Sequence, residues 1–397
     1  MANKSFGSAV AELVCQNAQA TADPKAERAF FMSVYDFDVD SLDRDSFAEL
    51  VAAARRRLAR EQIGYGDLEE MANGVGRVPI CPGCGCADQA SLVRDGSDSN
   101  GRRRFRCREC GTRFGILSGT ALSSCKLTLW QLSKAIELMT FNVPLDAVAD
   151  IVGCHHNTAL LTRRKVFETV ASWQSTVRLS GVVFIDEVYV FDSMRPQDHF
   201  GPNTRGLSKD KCCVFLAVDQ YLDMVAFHIG HGYPTSREIS EALLPHLSKG
   251  AVTKIVHDGL ASHEDAVAAS EAASEVHRSS PRTEEALRAM LLINSFSAWV
   301  KRYLGRFTGM DTEYLQDYLN WFVYLFRCKR QDERYPKVGR IIRHMLLANG
   351  AVTRASLPAK RAEKRQSIEK RRDQNGKKKV KTGGKRGRPP KKKPMDA

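Results

Sequence analysis

The spacing of apolar residues changes character near residue 177. Before that point apolar positions recur at three- and four-residue intervals, the period of a helix with one buried face. Residues 46–60 predict an amphipathic helix, N-capped by Asp45 or Ser46. Leu129, Leu132, Ile136 and Met139 mark another over 127–141, followed by a short helix over 144–152, a break at Gly153, and a longer helix over 155–170. Beyond 177 the apolar residues gather into short runs that predict strands at 181–191, 212–218 and 224–229, the last two joined by a turn at 219–223. A helical segment over 236–247 leads to a fourth strand at 254–257, and helices dominate to residue 348. Hairpin-ordered strands followed by a helix and a further strand predict an α/β domain with a mixed sheet. A chain of 397 residues exceeds the usual size of a single core and divides into several units.

Cysteine adds the first chemistry. Cys81-Pro-Gly-Cys84 and Cys107-Arg-Glu-Cys110 form two CxxC pairs about twenty residues apart. That spacing suits a tetrahedral zinc site of four thiolates, each pair bending as a knuckle, and predicts a zinc ribbon over 76–120. Cys86 is too close to Cys84 for the usual knuckle turn and stays outside the set. The remaining cysteines are scattered without framework spacing, as in a reducing compartment. No run approaches the length of a membrane span and the N-terminus lacks a signal-peptide pattern, so a soluble, cytoplasmic protein with no membrane partner is expected.

Charge sharpens the picture because of where it lies. The chain carries +14, and residues 358–397 hold 17 Lys or Arg against four Asp or Glu, which is 13 of those charges. With few apolar residues and several Gly and Pro, residues 355–397 are expected to form a disordered basic tail. Within it, Arg386-Gly387-Arg388 resembles an AT-hook, an extended Arg-Gly-Arg that fits a narrow minor groove; a nonspecific polycation accounts for the same string equally well. Between the CxxC pairs, Arg102, Arg103, Arg104 and Arg106 present guanidinium groups suited to phosphate backbones. The three helices over 125–172 have a helix-turn-helix pattern, in which His156, Asn157 and Thr158, with Arg163 and Arg164 farther along, would face double-stranded DNA. Residues 1–75 are expected to form a helical N-terminal segment with no evident chemistry.

Two carboxylates stand in costly places. Asp186 interrupts the apolar run Val182 to Ile185, and Asp258 ends the strand that carries Ile255 and Val256. A carboxylate inside an apolar strand needs a compensating partner. If the two strands are neighbours, the pair suits two divalent cations at a phosphoryl-transfer centre.

The order zinc ribbon, helix-turn-helix, then 184–189 (Phe-Ile-Asp-Glu-Val-Tyr), 205–210 (Arg-Gly-Leu-Ser-Lys-Asp), 257–259 (His-Asp-Gly), 293–301 and 314–322 resembles bacterial insertion-sequence transposases with a ribonuclease-H-like catalytic domain. The resemblance spans roughly residues 75 to 330. It implies a DDE-type recombinase in which Asn replaces the third acid, with a catalytic domain over 177–348 acting on element ends with Mg²⁺ or Mn²⁺ as cofactor. Asp186, Asp258 and Asn294 become the metal residues and Lys301 their basic partner. Asn294 and Lys301 are seven residues apart, two helical turns, and share a face. A homodimer on DNA in a bacterial nucleoid follows from the same resemblance. Relatives usually show His-Ser two and three residues after the Asn, whereas Ser297-Ala298 stand three and four residues on. A noncatalytic DNA-binding regulator or a decayed copy is the alternative that this departure leaves open.

Overall fold

The computed structural model describes residues 39–98, 101–191, 211–278, 283–307, 310–331 and 336–348, with four isolated positions farther on. The Arg386–Arg388 motif, residues 205–210 and residues 1–38 lie outside the described residues. The chain divides into two compact units, Met1–Thr162 with Glu333–Ala351, and Arg163–Asp332 with Val352–Ala397. No helix among the described residues is long and apolar enough to cross a membrane.

In the first unit, helix α1 (Arg44–Ile63) starts two residues before the expected boundary. Its cap is Asp43, whose Oδ1 accepts from Ser46 N at 2.8 Å, rather than Asp45 or Ser46. An Asp at that position satisfies a donor that the first helical turn leaves open. Asp67 caps the short α2 (Leu68–Gly74) in the same way. A three-stranded antiparallel meander follows: β1 (Leu92–Ser97), β2 (Arg103–Cys107) and β3 (Arg113–Gly115). Phe105 and Phe114 pair directly across β2 and β3, with ring centroids 5.7 Å apart.

Helix α3 (Leu129–Thr140) begins with a capping box in which Thr128 and Gln131 satisfy each other's backbone donors. Its buried residues include Leu129, Leu132, Ile136 and Met139, the stripe expected from their spacing. Helix α4 (Leu145–Val152) stops at Gly153, whose φ of 70° favours glycine. Helix α5 (His156–Gln174) then continues from the first unit into the second.

The second unit holds a five-stranded mixed sheet in the order β6-β5-β4-β7-β8. Its strands are β4 (Leu179–Phe191), β5 (Lys211–Asp219), β6 (Met224–His231), β7 (Leu247–His257) and β8 (Ala273–Val276). The first three pair antiparallel, and β4, β7 and β8 pair parallel. Every residue from Cys212 to Asp219 is buried, which fits a strand covered on both faces. On one face Val183, Ile185, Phe215 and Ala217 meet Ile239 and Leu243 of α6 (Ser236–Leu243) and Ala266 and Val267 of α7 (Ala261–Ala269). After the short α8 (Glu284–Ala289), α9 (Leu291–Leu304) packs on β4 and β5, and α10 (Leu315–Gln331) on β6.

The last helix, α11 (Pro336–Leu347), was expected to finish the α/β domain. It packs instead on α1, α2 and α3 of the first unit. Its fully buried Ile341, Ile342, Met345 and Leu346 supply an apolar face that helical spacing alone assigns to neither unit.

Candidate functional site

The four cysteines of the two CxxC pairs come together. Each pair bends in the same way: Gly85 N donates to Cys81 O at 2.9 Å and Cys81 N to Cys86 O at 2.8 Å, while Gly111 N donates to Cys107 O at 2.9 Å and Cys107 N to Thr112 O at 3.0 Å. Both turns end on a glycine in the left-handed region, Gly85 at φ 75° and Gly111 at φ 73°, where a side chain would be strained. The Sγ atoms of Cys81 and Cys110 are 3.4 Å apart, and those of Cys84 and Cys107 are 3.6 Å apart. Zinc–sulfur bonds of about 2.3 Å at the tetrahedral angle set sulfurs roughly 3.8 Å apart, so the cluster fits a zinc-like ion. The Thr112 hydroxyl, 3.2 Å from Cys110 Sγ, holds that thiol down to about 6. Cys84 is pushed upward: the Cys86 backbone N–H favours its thiolate, but the neighbouring cysteines oppose it more strongly. Cys86 stays outside the set and packs beside Cys81, Leu92, Cys107 and Phe114.

The arginines of this hairpin divide by role. Arg102 reaches back to the carbonyls of Cys125 and Leu127, and Arg103 pairs with Glu69 at 3.4 Å, so both brace the unit internally. Arg104 is half-buried, whereas Arg106 is exposed. At the start of α5, His156 and Asn157 are exposed and Thr158 is half-buried, with His156 Nδ1 2.6 Å from Asp146 Oδ1. Arg163 and Arg164 are placed differently from the expected DNA face. The Arg163 guanidinium lies 5.7 Å from the Tyr318 ring centroid; that of Arg164 lies 3.3 Å from Tyr314, with Nη1 3.6 Å from Asp317 Oδ2. Both are taken up in packing against the 312–318 region and are not presented with His156 and Asn157.

The second cluster forms where β4 meets β7. These parallel strands pair Val183 with Ile255 and Phe184 with Val256. Carried two residues further, that register sets Asp258 level with Asp186 and on the same face. Asp258 then enters a tight turn, accepting from Leu260 N at 3.0 Å. Gly259 makes the turn at φ 80°, where an added Cβ would come 2.7 Å from Val276 Cγ1.

Neighbouring residues of β4 face opposite ways. Asp186 pairs across the sheet with Leu216 and looks toward α9, where the Ser297 hydroxyl donates to its Oδ2 at 3.1 Å. Glu187 pairs with Phe215 and looks toward α7, where its Oε1 lies 2.6 Å from Nε2 of the fully buried His263. The other ring nitrogen of His263 stands 3.6 Å from Asp258 Oδ1, linking the two faces. Burial works against an imidazolium at His263, but the Glu187 carboxylate outweighs it and the group is raised.

Burial, the Glu187 charge and, more weakly, Asp258 push Asp186 up to about 6, with the Ser297 hydrogen bond acting in the other direction. An unneutralised carboxylate here is unfavourable by a few kcal/mol, yet the strand stays in place. Val183, Ile185 and Val188 on the same strand are fully buried, each worth about 1.5–3 kcal/mol. Removing the Ser297 hydroxyl should raise the Asp186 carboxyl further. Ser297→Ala is expected to shift the Asp186 titration, followed by carbon-13 NMR, to higher pH.

Asn294 and Lys301 are both exposed on α9, on the stripe that also carries Ser297. Ser297 is the contact that sequence reasoning missed, although its spacing of three from Asn294 already placed it on that face. Asp317 sits with Arg164, and Glu284 pairs with Arg288 at 2.6 Å.

No protein-family model matches this sequence, and no curated protein does. Among solved structures it is similar to a chain of a simian T-cell lymphotropic virus intasome in complex with the PP2A regulatory subunit B56 gamma, at 13% identity and a TM-score of 0.26, over 47% of this chain and 67% of that one.

Proposed function

We propose that this chain is a DNA transposase of the DDE type, which cuts a DNA strand and joins the freed 3′-hydroxyl to a target. The observation that carries the reading is the placing of Asp186 on β4 and of Asp258 just past the end of the neighbouring parallel β7, under a helix that brings Ser297 to Asp186 and carries Asn294 and Lys301. The strand order β6-β5-β4-β7-β8, antiparallel and then parallel, supports a ribonuclease-H-like domain for the second unit.

On this reading Asp186 and Asp258 hold a divalent cation, with the Asn294 carbonyl as a further oxygen donor. The site suits such a cation because burial first, then the Glu187 charge and more weakly that of Asp258, disfavour the ionised form of Asp186, and a bound cation would offset all three. Bound Mg²⁺ or Mn²⁺ supplies charge neutralisation at phosphorus and a more acidic attacking hydroxyl. Ser297 fixes which oxygen of Asp186 points at the centre. The His263–Glu187 pair buttresses the Asp258 turn from behind the sheet. Lys301 places a positive charge on the same helix face as Asn294, suited to the charge that builds on the phosphodiester.

Two in-line displacements follow. A water oxygen attacks phosphorus, the P–O3′ bond breaks, and a 3′-hydroxyl remains. That 3′-oxygen then attacks a target phosphorus and displaces a target 3′-oxygen, which takes up a proton. The four-cysteine hairpin with exposed Arg106, and His156 and Asn157 at the start of α5, supply the DNA grip on the first unit.

The test is strand cleavage of double-stranded DNA carrying the element's own ends by the full chain, in Mg²⁺ or Mn²⁺ and in EDTA. Metal-dependent nicking that disappears in Asp258→Ala is the expected result. Specific DNA binding with no nicking by the unaltered chain would overturn the enzymatic reading in favour of a DNA-binding regulator.

A further inference from the structure

A second group of soft-metal donors lies in the α/β unit, apart from the carboxylates. Cys212 on β5 and His228 and His231 on β6 bring one ligand atom each to within 4.8 Å of one another. Cys212 Sγ is 3.4 Å from His231 Nε2, and the two imidazole centroids are 5.6 Å apart. Zinc bonds of about 2.3 Å to sulfur and about 2.0 Å to nitrogen, at the tetrahedral angle, set those atoms roughly 3.5 Å apart.

The arrangement depends on a bulge. In a regular strand His228 and His231, three positions apart, point to opposite faces. Here Cys212 pairs with His231 and Val214 with His228, and the register slips between Cys213 and Val214. Cross-strand partners share a face, and Cys212 and Val214 are two apart, so both histidines stand on the Cys212 face. The extra residue is absorbed around Ile229, which turns into the core on the opposite face, and Gly230, whose φ of 152° favours glycine.

We infer that Cys212, His228 and His231 bind one Zn²⁺ ion, clamping edge strand β6 onto β5. One thiolate and two imidazoles form a donor set for zinc and a poor one for Mg²⁺, which takes oxygen. Binding releases the Cys212 thiol proton. Cys212 is fully buried and His228 nearly so, while His231 is half-buried. Among the described residues β6 is an edge strand, paired with β5 alone and packed by α10, and a metal here would add a further tie to β5. The inference is independent of the proposed reaction.

The experiment counts zinc by mass spectrometry in the full-length protein after loading with zinc chloride and removal of loosely held metal on a chelating resin. About two ions per chain are expected, one in the four-cysteine cluster and one here. His231→Ala, at a half-exposed position that leaves the core untouched, should lower the count to about one, and His231→Cys, which restores a zinc ligand, should return it to about two. A count of one or none in the unaltered chain, or a count of two that His231→Ala leaves unchanged, would overturn the assignment.

Discussion

Cys107→Ser is expected to lose the metal of the four-cysteine cluster and to unfold the hairpin over residues 81–115, while the five-stranded sheet of the second unit keeps its protection. The reason is the size of the hairpin's core. Beside Cys81 and Cys107 themselves, only Leu92 and Phe114 among its described residues are buried, with Phe105 and Cys86 packed at its margin. Two buried side chains at about 1.5–3 kcal/mol each cannot balance the ordering of some thirty residues at roughly 1–2 kcal/mol apiece. A zinc-like ion held by the four cysteines would contribute on the order of 10 kcal/mol, more than the two buried side chains together. Serine keeps nearly the same volume but offers a hydroxyl, which does not replace a thiolate on zinc. Amide hydrogen exchange read by mass spectrometry separates the regions: protection should collapse between the knuckles and persist in β4 and β5. A variant that kept its hairpin protected with the zinc gone would mean that apolar packing and the internal braces of Arg102 and Arg103 suffice.

How much of this was legible in the sequence depends on how local each cause is. The knuckles were legible because two CxxC pairs define their ligands by spacing alone. Asp186 and Asp258 stood out because a carboxylate inside or just beyond an apolar strand is an energetic exception visible without a structure. The helix over 129–140 followed from one buried stripe.

What escaped was decided by pairing across distance. The strand β8 has the residues Ala-Ser-Glu-Val, mostly exposed, and is a strand only because β7 lies beside it. The bulge in β6 leaves a Gly in an apolar run, too common a signal to place two histidines on one face. Arg163 and Arg164 read as cations for phosphate, but the rings of Tyr314 and Tyr318 and the carboxylate of Asp317 are more than 140 residues away in the chain and appear only after folding.

Asp186→Asn is expected to make the second unit more stable and, on the proposed reading, to abolish cleavage, two effects of opposite sign from one carboxylate. In magnesium-free buffer the folded Asp186 ionises near 6, because burial and the Glu187 charge disfavour the anion, against an ordinary value of about 3.9 in the unfolded chain. The folded state therefore holds its proton more tightly than the unfolded one. Below about pH 4 both forms are protonated and nothing is lost; as pH rises through 6 the unfolded state gains from ionising and folding stability falls. Two pKa units amount to about 3 kcal/mol, an upper figure because the side chain is partly open to solvent. Asparagine has no such titration, so at pH 8 the variant should unfold at higher denaturant concentration by up to that amount, and at pH 4 the difference should vanish. Magnesium should reverse the order. On the proposed reading it binds only the charged form, so it stabilises the unaltered chain by mass action and leaves the variant where it was. Cleavage should drop by at least about a thousandfold, since a neutral amide supplies no charge to the cation. Chemical denaturation of both proteins at the two pH values, each with and without Mg²⁺, reads every part of this. A variant that is less stable than the unaltered chain at pH 8 without magnesium, or that gains equally from magnesium, would make Asp186 an ordinary strand carboxylate and remove the carboxylate pair from the chemistry.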